Sequence, residues 1–286
     1  MNEWFEHIPT ADMIAWRRHI HQHPELSFKE YKTSAFVEKT LRSFGDIEIQ
    51  HPAQTSVLAI IHGAQEGKTI LLRADMDALP MQEESGLSFS SDVNNVAHTC
   101  GHDTHTAMLL ATAKVLYELK DSLHGSVKLI FQHAEELNPG GSQAIVDSGL
   151  IDDVDAVVGL HIIPNLPCGS IHVHPSGPAT TAADGFFLHI QGKGSHGSMP
   201  QNGIDPIIIG TQIITQLQTI VSRMVTPGEL AVLTVGEFKA GEAPNIIPDK
   251  AYMSASIRTI HEDTRQSIAS RVKAVIQHTC AAYGAS

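Results

Sequence analysis

The helix-like stretch THTAMLLATAKVLYEL (104–119) is followed after a short break by VKLIFQ (127–132), and this pair decides the fold. The first segment sets Ala107, Met108, Leu109, Ala111, Val115, Leu116 and Leu119 at helical spacing, which predicts a helix packed along at least one broad face. The second is almost continuously apolar, as expected of a strand buried on both faces. Working outward, KTILLRAD (68–75) and SVLAIIHG (56–63) are β-rich runs, and VDAVVGLH (154–161) reads as a further buried strand. GSQAIVDSG (141–149) reads as a helix closed by Gly149. Upstream, Met13, Ile14, Ile20 and the region from Phe28 to Leu41 carry helical spacing that Gly45 stops. Helices alternating with buried strands imply an α/β domain with a mostly parallel sheet flanked by helices.

The pattern changes at IPNLPCGSIHVHPSGPA (163–179), where prolines and glycines mark a hinge that includes a short strand at 169–174. Beyond it lie strand FFLHIQG (186–192), helix IIIGTQIITQLQTIVSR (207–223), strand LAVLTVGEF (230–238), strand KAYMSASIR (250–258) and helix TRQSIASRVKAVIQHTCAAY (264–283). That order predicts a two-layer α+β domain, one sheet face covered by two helices. The expected domains are therefore 1–178 and 179–286.

Composition narrows the function. The 286 residues are 42% hydrophobic and 17% charged, which fits an ordinary globular chain and excludes disordered and fibrous classes. Lysine and arginine number 19 against 31 acidic residues, for a net charge of −12, which argues against nucleic acid and anionic membranes as partners. Three separated cysteines imply no disulfide framework, and no apolar run or signal core is present, so a cytoplasmic location is expected. Histidine, at 18 residues, is far above its usual share, and it is the commonest metal ligand.

The histidines cluster with other ligand types. In HTCGHDTHTA (98–107), Cys100 and His102 flank a glycine just before a helix, so a thiolate and an imidazole can turn toward one ion. In FQHAEEL (131–137), Glu135 and Glu136 follow a strand end and point in different directions, so one can ligate a metal while the other holds a water as general base. His161 ends the strand VDAVVGLH at the same sheet edge. Cys100, His102, Glu136 and His161 thus form a mixed set for zinc or another first-row ion. Asp75 and Asp77 of RADMDALP (73–80) suit hydrogen bonding to a ligand imidazole, or equally a turn. In the second domain, His196 of GKGSHGSMP (192–200), Asn245 of GEAPNIIPD (241–249) and Arg258 could together hold a carbonyl oxygen and a carboxylate. Neither a Walker-type loop nor a G-x-S-x-G elbow occurs.

Together these motifs resemble the M20 metallopeptidase and amidohydrolase family, in the branch of hippurate hydrolases, N-acyl-amino-acid amidohydrolases and N-acetyldiaminopimelate deacetylases. The matching stretches are RRHIHQHPELSFKE (17–30), LLRADMDALPMQEE (71–84), AHTCGHDTHTAMLL (97–110), IFQHAEE (130–136), VDAVVGLH (154–161), GKGSHGSMP (192–200), 205–223 and APNIIPD (243–249), in family order. The resemblance implies a metal-dependent hydrolase of amide bonds in N-acyl amino acids or short peptides, with an inserted lid domain that also makes a homodimer or higher oligomer. It implies two divalent ions (Zn, Mn, Co or Ni) on Cys100, His102, Glu136 and His161, with Glu135 as general base. It further implies His196 at the oxyanion, at the partner subunit's site, and Asn245 and Arg258 at the substrate carboxylate. Aminopeptidase or dipeptidase action is the near alternative. Two departures stand out: His133 replaces the family's usual proline, and the chain stops at CAAYGAS (280–286), before the family's C-terminal segment with its last metal-binding histidine. A shortened member with weak or no activity is therefore expected, the alternative being a non-catalytic dimerisation or binding form.

Overall fold

The structure is a computed structural model that describes residues 3–286. Its contacts divide the chain between Cys168 and Gly169, inside the proline- and glycine-rich stretch, into two compact units. In unit 1, after a short 3-10 turn (Glu3–His7), the elements are α1 (Thr10–Gln22), α2 (Tyr31–Phe44), β1 (Glu48–Gln50), β2 (Val57–His62), β3 (Gln65–Asp75), α3 (His102–Glu118), β4 (His124–Gln132), α4 (Ser142–Asp147) and β5 (Ala156–Gly159). The sheet order is β1-β2-β4-β3-β5. β3 is parallel to both β4 and β5, whereas β1–β2 and β2–β4 are antiparallel. The α/β class holds, but the sheet is mixed, because β2 enters as an antiparallel neighbour of β4 on the far side from β3.

Period-two side-chain alternation explains how the central strands bury both faces. Val57, Ala59 and Ile61 of β2 and Leu129 and Phe131 of β4 pack with Val37 and Leu41 of α2 and Leu109, Leu110 and Ala113 of α3. Leu58, Ile60 and Ile130 turn the other way, against Ile145 of α4. Each of the larger of these side chains contributes about 1.5–3 kcal/mol by leaving water. The expected buried strand at 154–161 does not behave this way. All of β5 is exposed, with Val157 at 63% and Val158 at 53%: it is an edge strand paired only with β3, and none of its residues joins a hydrophobic core cluster. Leu160, Ile162 and Ile163 extend this exposed apolar run.

Unit 2 contains β6 (Ala182–Gln191), β7 (Ser195–His196), α5 (Pro206–Met224), β8 (Ala231–Ala240), β9 (Ile246–Ile247), β10 (Lys250–Thr259) and α6 (Glu262–Tyr283). An antiparallel sheet of order β6-β10-β8 carries α5 and α6 on one face, around Ile190, Ile213, Leu217, Met253 and Val272. Asp205 caps α5 by accepting the Ile207 N–H at 2.8 Å, ahead of Pro206 in the first turn. The expected strand at 169–174 is not formed. Ile171 and Val173 lie 92% and 83% exposed and belong to no strand. Among the described residues no helix is long and apolar enough to cross a membrane.

Candidate metal centre

The parallel pair β3–β4 sets Asp75 opposite Gln132, so the turns leaving both strands begin side by side at one sheet edge. The first turn carries Asp75 and Asp77, and the second carries Glu135 and Glu136. α3 brings Cys100 and His102 to the same place across Gly101, and the residues after β5 bring His161. Gly101 is required here: its φ is +85°, and a Cβ would lie 2.2 Å from Ile162 Cδ1.

The donor atoms converge. Cys100, His102 and His161 each offer one ligand atom within 4.8 Å of the others, and so do His102, Glu135 and Glu136. Cys100 Sγ is 3.3 Å from His161 Nε2, and His102 Nε2 is 3.7 Å from Glu136 Oε1. Tautomers follow from the second nitrogen of each ring. His102 Nδ1 donates to Asp77 Oδ1 at 3.2 Å, and His161 Nδ1 donates to the Ile162 carbonyl at 2.7 Å. Both Nε2 lone pairs therefore face the cluster. His102 Nε2 and Glu136 Oε1 are buried without any hydrogen-bond partner, the condition that a metal ion would relieve.

The electrostatics agree. Burial would raise Asp77, yet hydrogen bonds from His102, Ser27 and the backbone of Glu135 and Glu136 bring its pKa down to about 2. Burial and then Glu136 push the Cys100 thiol up to about 12, so only a cation in the cluster would ionise it. Partial burial of its carboxylate, with the like charges of Glu136 and Asp75, raises the Glu135 pKa. Crowded acids, a reluctant thiol paired with His161 Nε2 and an unpaired His102 Nε2 describe a candidate cation site.

The sequence profile of peptidase family M20/M25/M40 matches residues 71–284. The chain belongs to this family. It is 48% identical over 276 residues to an N-acyl-L-amino acid amidohydrolase of Geobacillus stearothermophilus, covering 96% of this chain and 74% of that protein. It is 45% identical to an N-acetyl-L-cysteine deacetylase of Bacillus subtilis, over 95% of this chain and 65% of the relative. Among solved structures, the YXEP protein of Bacillus subtilis, a dinuclear metal binding peptidase from the M20 family, superposes with a TM-score of 0.77 at 37% identity, over 96% of this chain and 71% of that one. The M20 chain is thus built as a metal-dependent hydrolase.

Unit 2 holds the remaining sequence-derived candidates. β7 pairs with β9, setting His196 opposite Ile246, and the Gly197 N–H donates to the Asn245 carbonyl at 2.8 Å, so His196 and Asn245 are neighbours. His196 Nδ1 accepts from the Ser198 N–H at 3.2 Å, which places the ring proton on Nε2 as a donor. Arg258 is not brought to them. It sits near the far end of β10 from Lys250, opposite Ala183 and Val232, and donates to Ser256 Oγ and the Ile257 carbonyl.

Sequence reasoning missed His105. It stands three residues after His102 on the same helix face and is buried. Its Nδ1 donates to Asp75 Oδ1 at 2.7 Å, and its Nε2 accepts the Ile162 N–H at 3.0 Å, tying α3 to the backbone beside His161. The i, i+3 histidine spacing was the available signal. His133, where the family has proline, is also engaged. Its N–H donates to Ser56 Oγ at 3.2 Å, a bond that a proline could not make.

Proposed function

We propose that this chain's site hydrolyses the amide bond of small N-acyl amino acids, with two divalent ions held by Cys100, His102, Glu136 and His161. The observation that carries this reading is the convergence of those donors on two buried, unpartnered atoms, His102 Nε2 and Glu136 Oε1, with Glu135 alongside. Zinc, manganese, cobalt and nickel all suit a mixed imidazole, carboxylate and thiolate set. When bound, such an ion supplies Lewis acidity to the scissile carbonyl and lowers the pKa of water toward about 7. Asp77 holds His102 in the tautomer that leaves Nε2 free, and Asp75 steadies His105. Glu135 takes a proton from the attacking water and returns it to the leaving amine, so the carboxylate is regenerated with each turnover.

Residues 179–286 are proposed to act as a lid through which two copies associate. His196 Nε2–H is the donor for the oxyanion, serving the site of the other subunit. Asn245 and Arg258 are assigned to the substrate carboxylate, as two separate contacts because they are not neighbours here. N-acyl amino acids are favoured over di- and aminopeptide substrates by the names of the relatives at 48% and 45% identity. The test is to strip the purified chain with a chelator, reload it with zinc or manganese, and follow amino-acid release from a panel of N-acetyl amino acids. Metal uptake with restored hydrolysis supports the reading. Absence of metal uptake, or hydrolysis indifferent to the chelator, overturns it.

A further inference from the structure

The turn 133–136 that carries Glu135 is held by side chains rather than by regular structure. Each backbone N–H in it ends on a side chain: His133 on Ser56 Oγ, Ala134 on Glu30 Oε1 at 2.8 Å, and Glu135 and Glu136 on Asp77. Glu30 is the unexpected member. It lies in RRHIHQHPELSFKE (17–30), to which no chemical role has yet been attached, and it is fully buried. Its Oε1 also accepts the Phe28 N–H at 3.0 Å, and its Oε2 accepts the Thr55 hydroxyl at 2.8 Å.

Phe28 and Ala134 are two of the four non-glycine residues with positive φ among the described residues, at 65° and 47°. Both are unfavourable conformations for these residue types and persist only where surroundings impose them. One carboxylate oxygen takes the N–H of both. Local helix capping does not account for this carboxylate. Glu30 is the N-cap residue of α2 but makes no side-chain cap, and the free N–H groups of Lys32 and Thr33 are taken by Glu25 instead. The Phe28 ring, set by the same clamp, packs edge-on against His133 with ring centroids 5.6 Å apart.

We infer that Glu30 is a positioning residue for Glu135: by clamping Ala134 in the left-handed conformation, it sets the direction in which the adjacent Glu135 carboxylate leaves the turn. This rests on the role proposed above for Glu135, but the clamp itself is testable without turnover. In Glu30→Ala, hydrogen–deuterium exchange of the 131–137 segment is expected to rise about tenfold while the β2 core is unchanged. Metal content should hold, kcat should fall about 10- to 100-fold, and KM should stay within about threefold. Glu30→Gln keeps an acceptor on Ala134 and should restore most of the loss. A second-site Ala134→Gly, which enters the left-handed region freely, should recover part of both exchange protection and kcat in the Glu30→Ala background.

Unchanged exchange at 131–137 overturns the inference. So does a uniform rise across unit 1, which would make Glu30 a general fold residue. Should Glu30→Ala fail to accumulate, Thr55→Val removes the Oε2 partner, and it too must raise exchange locally or the clamp is refuted. If the parent chain hydrolyses no N-acyl amino acid while exchange follows the expected pattern and Ala134→Gly rescues it, the clamp stands and the functional reading falls.

Discussion

Replacing Asp77 with asparagine probes the link between a buried hydrogen bond and metal affinity. Asp77 Oδ1 takes the Nδ1 proton of His102, while Oδ2 takes the Ser27 hydroxyl at 2.6 Å and the Glu136 N–H at 3.0 Å. An asparagine cannot serve both sides. With its NH2 toward His102, the imidazole must accept at Nδ1 and carry its proton on Nε2, where the cluster needs a lone pair. With its NH2 toward Glu136, two N–H donors face each other beside the buried residue 77. Either arrangement removes a charge-assisted hydrogen bond, about 1.5–3 kcal/mol, which corresponds to a fall of about 3–12 °C in the Tm of the metal-free protein. Loss of such an outer partner lowers metal affinity about 10- to 100-fold, or about 1.4–2.7 kcal/mol. Zinc titration against a competing chelator, with thermal melts of the stripped protein, reads both quantities. Ser27→Ala is the control, since it removes an Oδ2 partner without touching the tautomer and should leave zinc affinity within about threefold of the parent. An Asp77→Asn variant that binds zinc as tightly as the parent would refute the tautomer argument.

Three further outcomes are expected. Glu135→Gln should lower kcat by about 10²–10⁴-fold while metal content holds; metal loss would make Glu135 a ligand instead. Gly101→Ala forces a side chain into the left-handed region, about 1–2 kcal/mol, and its Cβ displaces the partly exposed Ile162 side chain. Its melts should show clear destabilisation and its metal analysis a deficit, and a parent-like profile in both would remove Gly101 from the account. The His21 pKa is raised by its hydrogen bond to Asp103, against burial and Arg17, with help from Glu83. A raised folded-state pKa contributes stability that is fully present below the ordinary value near 6.5 and is lost as pH rises through the folded value. The Tm gap between the parent and His21→Gln should therefore be widest in acid and close toward alkaline pH; a gap that widens with pH would contradict this.

Where a residue's role is set by its own neighbours in sequence, the chain was legible. The helical spacing of 104–119 and the apolar run 127–132 gave α3 and β4, and the spacing of Cys100, Gly101 and His102 pointed to the turn where candidate donor atoms gather. Glu135 and Glu136 were legible because they follow a buried strand. Failures came where partners are distant or missing from the local pattern. VDAVVGLH is as apolar as β4, but periodicity says nothing about what packs over a strand, and the valines of β5, an edge strand, join no hydrophobic core cluster and stay exposed. The mixed sheet was hidden for the same reason, since strand direction depends on which neighbour a strand finds. That Arg258 and Asn245 are not neighbours within one chain was hidden too, because it depends on the length of β10, whose ten residues carry the two apart.

Glu30 and His105 mark the same boundary inside the site. Glu30 has no local ligand spacing, the i, i+3 spacing of His102 and His105 does not say what His105 bonds, and each acts on residues far along the chain: Glu30 on Ala134, His105 on Asp75 and Ile162. Both are buried and saturated with hydrogen bonds, so in sequence they look like any polar residue beside a helix. A candidate cation site assembled from strand ends and a helix start draws little rigidity from regular structure, because Cys100, Glu136 and His161 lie outside the helices and strands. The rigidity has to come from buried side chains that take turn N–H groups, and such side chains must reach in from other elements. Hence the candidate ligands stand in short motifs, while the residues that hold their turns become visible only when the chain is folded.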